Sequence, residues 1–268
     1  MLTDTFRLVD ARAPRMYVQG HLLGAVNLDA RALNSGAERG RQLVDAQSLA
    51  EQWRRLGLGA EPTGVYGARG GADAAHVWWT LQAYGHPAAY LLDGGIEAWQ
   101  NAGLPVTTES PQPYEVEAPF EPELSQESLI TLEELKERLG DPNLSILDTR
   151  SLGEYRGQDV FAARAGHIPG AALLPWDDLI EPEALTLKSE PALRTKLEIL
   201  RDAPEVALYC QSGVRAAHTF AVLMHLGIAR PRLYLGSWEE WGNRHDTPVA
   251  TPLEDSGAYE KHEKEAGK

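Results

Sequence analysis

The sequence predicts an α/β protein built from two related domains, each a mainly parallel sheet flanked by helices. Short apolar runs such as LSILD at 144–148 and EVALYC at 205–210 alternate with longer segments of helical period. This alternation is typical of βαβ units, whose parallel sheet is buried on both faces. The same order of motifs occurs twice, and a segment rich in proline and glutamate separates the two copies.

The duplication is visible in three pairs of segments that keep their order along the chain. The matched segments are 9–25 with 147–171, 74–85 with 216–227, and 91–106 with 233–249. A period of about 140 residues is too long for a solenoid, so the two copies are interpreted as duplicated domains. The predicted organisation is a domain at 1–106, a linker at 107–127, a second domain at 128–250 and a charged tail at 251–268.

Elements of the second domain can be assigned in chain order. Thr131 and Glu134 have the spacing of a capping box, which predicts a helix start, and Gly140 supplies the stop. The predicted strands are the apolar runs at 144–148, 205–209 and 232–236, and the segment 214–227 between the last two is a predicted helix.

Composition excludes several classes of protein. Apolar residues make up 43% of the chain, and the longest apolar runs are far shorter than the ~18 residues that a membrane span needs. The N-terminus is charged where a signal peptide would be apolar, so we expect a soluble, cytoplasmic protein with no membrane partner. The net charge of -14, without a block of lysine or arginine, argues against nucleic acid as a partner.

Cys210 is the only cysteine in the chain, which excludes an internal disulfide and a sulfur-rich metal cluster. If 205–209 is a strand and 214–227 a helix, Cys210 opens the loop where open α/β sheets bind their ligands. The N–H groups of the helix start would then favour its thiolate form. Gly213 permits a tight loop and Ser212 offers a hydroxyl donor, so we interpret Cys210 as a reactive nucleophile.

Arg215 lies in the first turn of that predicted helix, where a cation opposes the helix dipole by a few tenths of a kcal/mol. Two interpretations remain open. Its guanidinium could pair with a nearby carboxylate at the surface, or it could clamp an anionic substrate beside the sulfur. From the dipole alone, removing this cation should leave the stability unchanged or slightly higher.

These motifs, in order and in duplicate, resemble the tandem-domain sulfurtransferases of the rhodanese family over nearly all of residues 5–250. They are GHIPGA at 166–171, CQSGVR at 210–215, LDGGIEAW at 92–99 and GSWEEW at 236–241. The resemblance implies two rhodanese-like domains in which Cys210 takes a sulfane sulfur from a small donor. A thiophilic acceptor then removes the sulfur from the persulfide. It implies no metal and no organic cofactor.

The resemblance also assigns roles to the residues around Cys210. Substrate would bind to the loop residues Gln211, Ser212, Gly213, Val214 and Arg215, and Trp238 is a candidate either for the pocket wall or for core packing. The first domain has GARGGAD at 67–73 in place of the catalytic loop, with Gly67 at the cysteine position and one residue more. We therefore expect the first domain to be catalytically inactive and to close the cleft.

Residues that occur in both copies are expected to support the fold, because the inactive copy keeps them. They are the histidines of the two GH turns, His21 and His167, and the acidic–basic pairs Asp10–Arg12 and Asp148–Arg150.

The sulfur donor has two candidates, thiosulfate and 3-mercaptopyruvate. Residues 212–214 resemble the loop of mercaptopyruvate enzymes, whereas Arg215 suits the second negative charge of thiosulfate. Glu154 stands where mercaptopyruvate enzymes place an arginine and would repel a carboxylate, although Arg156 and Arg164 are close enough in sequence to compensate. Charge complementarity favours thiosulfate.

Two other function classes compete with sulfur transfer. Phosphatases and arsenate reductases of the same fold read C-x5-R, but Cys210 to Arg215 is C-x4-R, and this loop offers no general acid. A non-catalytic sulfur carrier or redox-sensing module needs only Cys210 and remains open.

Overall fold

The computed structural model describes residues 6–35, 42–112, 116 and 118–251. The predicted tail at 251–268 lies outside this part of the chain except for its first residue. Among the described residues, no helix combines the length and the apolar character that a membrane crossing requires.

The first domain is a parallel four-stranded sheet with helices around it. Its strands are β1 (Arg7–Asp10), β2 (Val26–Asn27), β3 (Asn34–Ser35), β4 (Gln42–Leu43), β5 (Thr63–Tyr66) and β6 (Ala89–Leu91). Its helices are α1 (Pro14–Tyr17), α2 (Ala46–Arg55), α3 (Ala72–Ala83) and α4 (Gly95–Asn101). The sheet has the order β2-β1-β5-β6, and β3 pairs with β4 in a separate antiparallel ribbon.

The second domain repeats this arrangement. Its strands are β7 (Leu144–Asp148), β8 (Ala171–Leu173), β9 (Glu205–Tyr209) and β10 (Arg230–Leu233). Its helices are α5 (Leu132–Glu137), α6 (Leu152–Tyr155), α7 (Glu190–Lys196), α8 (Val214–Leu226) and α9 (Ser237–Trp241). The strand order β10-β9-β7-β8 corresponds to the order of the first sheet read from its other edge, and all pairs are parallel. The predicted fold class is therefore confirmed.

The capping box predicted at Thr131 forms only in part. The Thr131 hydroxyl accepts the Glu134 N–H at 3.2 Å, as expected of an N-cap. The Glu134 carboxylate, however, pairs with Arg232 and Arg138 instead of turning back to the N-cap. Because a guanidinium offers the carboxylate a full opposite charge and paired donors, which a single backbone N–H does not, these partners take the carboxylate. The helix also ends at Glu137, before Gly140.

The two domains share one hydrophobic core through α3 and α8. Trp79 of α3 is fully buried, and its ring meets that of Phe220 of α8 edge-on, with 6.4 Å between centroids. Ala75 and Ala83 of α3 belong to the same cluster as the strand residue Leu208. Helix α8, which follows Cys210, is therefore packed on both domains.

Candidate active site

Cys210 lies at the carboxyl end of β9, where the sequence predicts it. Four residues, 210–213, separate β9 from the 13-residue helix α8. The Cys210 side chain is 1% exposed, and the Ser212 N–H points at its Sγ with an N···S distance of 3.4 Å. A sulfur at the start of a long helix, in contact with a backbone N–H, is in a position where negative charge is stabilised.

The backbone of this loop is held by the start of α9. The Cys210 N–H donates to the Ser237 hydroxyl at 3.2 Å, and the Cys210 carbonyl accepts the Trp238 N–H at 3.0 Å. The Gln211 carbonyl accepts the Glu239 N–H at 2.9 Å. These bonds fix the direction of the loop, so the GSWEEW motif positions the cysteine through backbone contacts.

Ser237 is a functional residue that sequence reasoning missed. It adopts a φ of 52°, and the matching residue of the first domain, Gly95, has a φ of 56°. A left-handed conformation is unfavourable for serine. The Ser237 hydroxyl offsets this strain, because it receives the Cys210 N–H and donates to the Tyr234 carbonyl at 2.9 Å. The alignment of the two copies, with serine against glycine, was the signal that could have found it.

Gly213 ends the loop in the conformation that a tight turn requires. Its φ is 82°, and a Cβ at this position would lie 2.8 Å from Leu235 Cδ1 and 3.1 Å from the Leu235 carbonyl oxygen. The corresponding Gly71 in the first domain has a φ of 83°. Both helices thus begin from a glycine in the left-handed region, which only glycine adopts without strain.

Arg215 pairs with Glu154. Two guanidinium nitrogens donate to the two carboxylate oxygens, each at 2.7 Å. The Arg215 side chain is 27% exposed and that of Glu154 only 6%, so the partner is a buried carboxylate and not a surface one. This pair offsets the unfavourable position of Arg215 at the helix start. It also means that Glu154, expected to repel the carboxylate of mercaptopyruvate, has its charge balanced within the protein.

Protonation in this pair follows from the same contacts. Burial raises the pKa of Glu154, but the hydrogen bonds and charge of Arg215 lower it by a larger amount. The pKa of Glu154 therefore lies below its ordinary value of 4.5. Burial lowers the pKa of Arg215, but Glu154 and the neighbouring Cys210 raise it by more, so that it ends above its ordinary value. The pair is therefore ionised at neutral pH.

The other predicted site residues divide between loop and core. Trp238 is 2% exposed and packs in a core cluster, with the Arg150 guanidinium 4.5 Å from its ring, so it is not a wall of an open pocket. Of the two roles that the sequence left open for this indole, the structure shows core packing, because the motif lies beside the loop while the side chain turns inward. Gln211 donates to the Phe161 carbonyl at 3.1 Å, and its Oε1 is buried without a hydrogen-bond partner.

Arg164 does not reach the cysteine loop. Its guanidinium donates to the carbonyls of Trp241 and Thr247, each at 2.7 Å. It therefore ties the segment before the GHIPGA motif to the end of the second domain. Arg156 is exposed on the surface beyond α6.

The residues common to both copies support the fold, as predicted. Asp148 accepts bonds from Arg150 and from the Tyr209 hydroxyl, and that hydroxyl receives the Ile168 N–H. The first domain repeats this network with Asp10, Arg12, Tyr66 and Leu22. The two histidines stack on tyrosines, His21 on Tyr17 at 3.9 Å and His167 on Tyr155 at 3.7 Å between centroids.

In the first domain, five residues, 67–71, take the place of the cysteine loop between β5 and α3. They are one more than the four residues of the second domain, as the sequence indicated. Gly67 at the cysteine position offers no side chain that could carry sulfur. In the described part of the chain, no group of three histidine, cysteine, aspartate or glutamate side chains is placed to hold a metal ion.

Comparison with known proteins places these features in a family. The model of the rhodanese-like domain matches the chain twice, at residues 1–102 and 131–244. A thiosulfate sulfurtransferase of Pseudomonas aeruginosa is 36% identical over 246 residues, covering 90% of each chain. A probable 3-mercaptopyruvate sulfurtransferase of the same organism is 35% identical, covering 88% of this chain and 86% of its own. A sulfur carrier protein of Thermus thermophilus, TtuD, is 33% identical, covering 88% and 87%.

Solved structures agree with the observed fold. The crystal structure of YnjE matches 92% of this chain with a TM-score of 0.82 and 26% identity, and this chain covers 62% of its length. A 3-mercaptopyruvate sulfurtransferase from Leishmania major matches 88% of this chain with a TM-score of 0.76 and 25% identity. This chain covers 70% of the Leishmania protein.

Proposed function

Because this chain belongs to the rhodanese family, we propose that it moves sulfane sulfur from thiosulfate to a thiophilic acceptor by way of a persulfide on Cys210. The observation that carries the proposal is the contact between the Ser212 N–H and the Cys210 Sγ at the start of α8. A backbone donor at that position stabilises a charged sulfur without any reorganisation of the site.

The proposed reaction has two steps. The Cys210 thiolate attacks the outer sulfur of thiosulfate, an S–S bond forms to Sγ, and the S–S bond of thiosulfate breaks with its electron pair leaving on sulfite. Cyanide or a thiol then attacks the terminal sulfur of the persulfide and regenerates the thiolate. Splitting the transfer in this way is covalent, ping-pong catalysis, and neither step needs a metal or an organic cofactor.

Arg215 is the proposed contact for the oxyanion end of the donor. A guanidinium has five N–H donors, and the pair with Glu154 uses two of them. The remaining N–H groups can donate hydrogen bonds to the sulfonate oxygens of thiosulfate beside the Cys210 sulfur. Because Glu154 balances the charge, Arg215 selects by hydrogen-bond geometry more than by net charge.

Two alternatives stay in view. The 3-mercaptopyruvate relative is about as similar as the thiosulfate relative, at 35% against 36% identity, so mercaptopyruvate is the alternative donor. The Thermus relative is named as a sulfur carrier, which keeps open a role in which Cys210 holds sulfur for a partner protein. The sulfur-transfer proposal differs from the carrier role in requiring turnover with small molecules.

Mass spectrometry of the intact protein tests the proposal. Protein treated with thiosulfate should gain one sulfur atom, cyanide should remove it as thiocyanate, and the Cys210→Ser variant should gain none. Steady-state kinetics with thiosulfate and 3-mercaptopyruvate, side by side, then decide the donor. Sulfur uptake by the Cys210→Ser variant would refute the role of Cys210. A loaded parent that does not turn over with cyanide or a dithiol would favour the carrier, and a higher kcat/KM for mercaptopyruvate would replace thiosulfate as donor.

A further inference from the structure

A cavity lies between the two domains, and residues other than those of the cysteine loop line it. It has a volume of about 500 Å³ and is lined on one side by one face of α8, including His218, Val222 and His225. A helix rises about 1.5 Å per residue, so His218 lies roughly 6 Å and His225 roughly 16 Å along the helix from its first residue. Residues 210–215 all belong to the described part of the chain, and none of them lines this cavity.

The opposite side of the cavity is the inactive loop of the first domain. Gly70 and Gly71 line it, together with Ala74 and Trp78 of α3. These residues occupy the positions that the cysteine loop and the start of α8 hold in the second domain. A cleft therefore lies at a loop that has no nucleophile, where binding is the role that remains.

His218 supplies a polar group inside this cleft that lacks a partner. Its side chain is 6% exposed, it lines the cavity, and its Nδ1 has no hydrogen-bond partner. The edge of the Trp176 ring packs against it, with 5.2 Å between ring centroids. Burial lowers the pKa of His218 to about 4, so the ring is neutral near pH 7 and presents one donor and one acceptor nitrogen. A buried polar atom is costly to leave unpaired, which favours a ligand that would satisfy it.

The remaining walls restrict the kind of ligand. Trp78 and Tyr90 offer aromatic surface, and Met224 adds an adaptable apolar side chain. The one carboxylate in the lining, Asp93, accepts the Leu187 N–H at 2.9 Å, and the chain carries a net charge of -14. An anion such as thiosulfate is therefore disfavoured here, and the volume is in the range of small-molecule pockets.

We propose that this cavity binds a small, planar heteroaromatic molecule without negative charge that forms a hydrogen bond with the His218 ring and lies between the aromatic side chains of the first domain and α8. The site is separate from sulfur transfer and does not depend on the identity of the donor.

Methionine-methyl NMR can test this directly, because the chain has three methionines and Met224 lines the cavity. Benzimidazole serves as the probe, since it is planar and carries one donor and one acceptor nitrogen. With 13C-methyl methionine, titration should give a saturable shift of the Met224 signal and none of the Met16 signal. Indene, which has the same shape without polar atoms, should bind the parent about tenfold more weakly.

Two variants separate this site from nonspecific binding. In His218→Leu, benzimidazole and indene should bind with similar affinity, because the hydrogen bond is gone. In Ala221→Phe, which fills the cavity, neither should give a saturable shift. Thermal unfolding of both variants checks that they fold. If Ala221→Phe does not fold, the comparison of the two probes in His218→Leu decides the test. Absence of a saturable Met224 shift in the parent, or equal affinity of the parent for the two probes, would overturn the proposal.

Discussion

Among single residues, Glu154 connects two parts of the site. Its carboxylate binds Arg215 and also receives the Ser151 N–H at 3.1 Å, which completes the capping box of α6. Arg215 therefore forms its ion pair with a buried carboxylate. The preference of helix starts for negative charge is overcome here by a bidentate ion pair.

Replacing Arg215 with leucine should now lower stability, contrary to the expectation from the dipole alone. The change removes a dipole penalty of a few tenths of a kcal/mol but leaves the Glu154 carboxylate buried without its partner, at a cost of about 1 to 3 kcal/mol. If Arg215 contacts the donor, kcat/KM for thiosulfate should fall about ten- to hundredfold. Melting temperature and donor kinetics measure the two effects.

A double variant provides the control. Glu154→Gln combined with Arg215→Leu should recover much of the stability, because no charge is left buried, yet it should stay slow with thiosulfate. A single Arg215→Leu variant that melts and turns over like the parent would contradict both parts of this expectation.

At the level of elements, the loop between β9 and α8 depends on close packing. Its last residue, Gly213, sits against Leu235. Gly140 after α5 has a similar φ of 80°, but a Cβ added there would have no atom within 4 Å. The two glycines thus share a backbone conformation and differ in the space around them. Substitutions at these two glycines therefore separate the cost of backbone strain from the effect of a displaced loop.

Gly213→Ala should cost more than Gly140→Ala and should affect activity selectively. Both changes place a side chain in the left-handed region, at about 1 to 2 kcal/mol. At Gly213 the new Cβ would also overlap Leu235, so the loop would shift and the Ser212 N–H would leave the sulfur. We expect at least about a tenfold loss of turnover for Gly213→Ala, measured by steady-state kinetics. Parent-like activity in Gly213→Ala, or an equal loss in Gly140→Ala, would contradict this role of the loop.

For the whole molecule, the shared core makes the two domains depend on each other. Trp79 belongs to the first domain, but its cluster contains Cys210 and most of the inner face of α8. Trp99, in contrast, packs in a cluster made of first-domain residues and donates to the Pro105 carbonyl. Loss of Trp79 should therefore disturb the second domain, although this residue belongs to the first.

Calorimetry should show one cooperative unfolding transition for both domains. Trp79→Ala should destabilise that transition as a whole, by about 3 to 5 kcal/mol, because it opens a cavity in the common core. Trp99→Ala, at a partly exposed site, should cost less. Two resolved transitions, of which Trp79→Ala moves only one, would show that the domains unfold independently.

Much of this molecule could be predicted from local and repeated patterns. The alternation of apolar runs predicts the two parallel sheets, and Cys210 follows a strand end that any βαβ unit brings to the ligand edge. The Asp–Arg pairs and the histidines were assigned to the fold because both copies keep them, and the structure shows the same ion pair and the same ring stacking in each domain. These features depend on neighbours close in sequence or on comparison of the two copies.

Partners distant in sequence were decided by the tertiary structure. Arg215 and Glu154 are 61 positions apart, and Arg232 and Glu134 are 98 apart. Charges attract at any separation along the chain, so spacing could not choose among the many carboxylates, and only the fold brings one of them into reach. The same reason explains the inward turn of Trp238 and the cleft beside His218, since burial between packed elements depends on surfaces that meet only after folding.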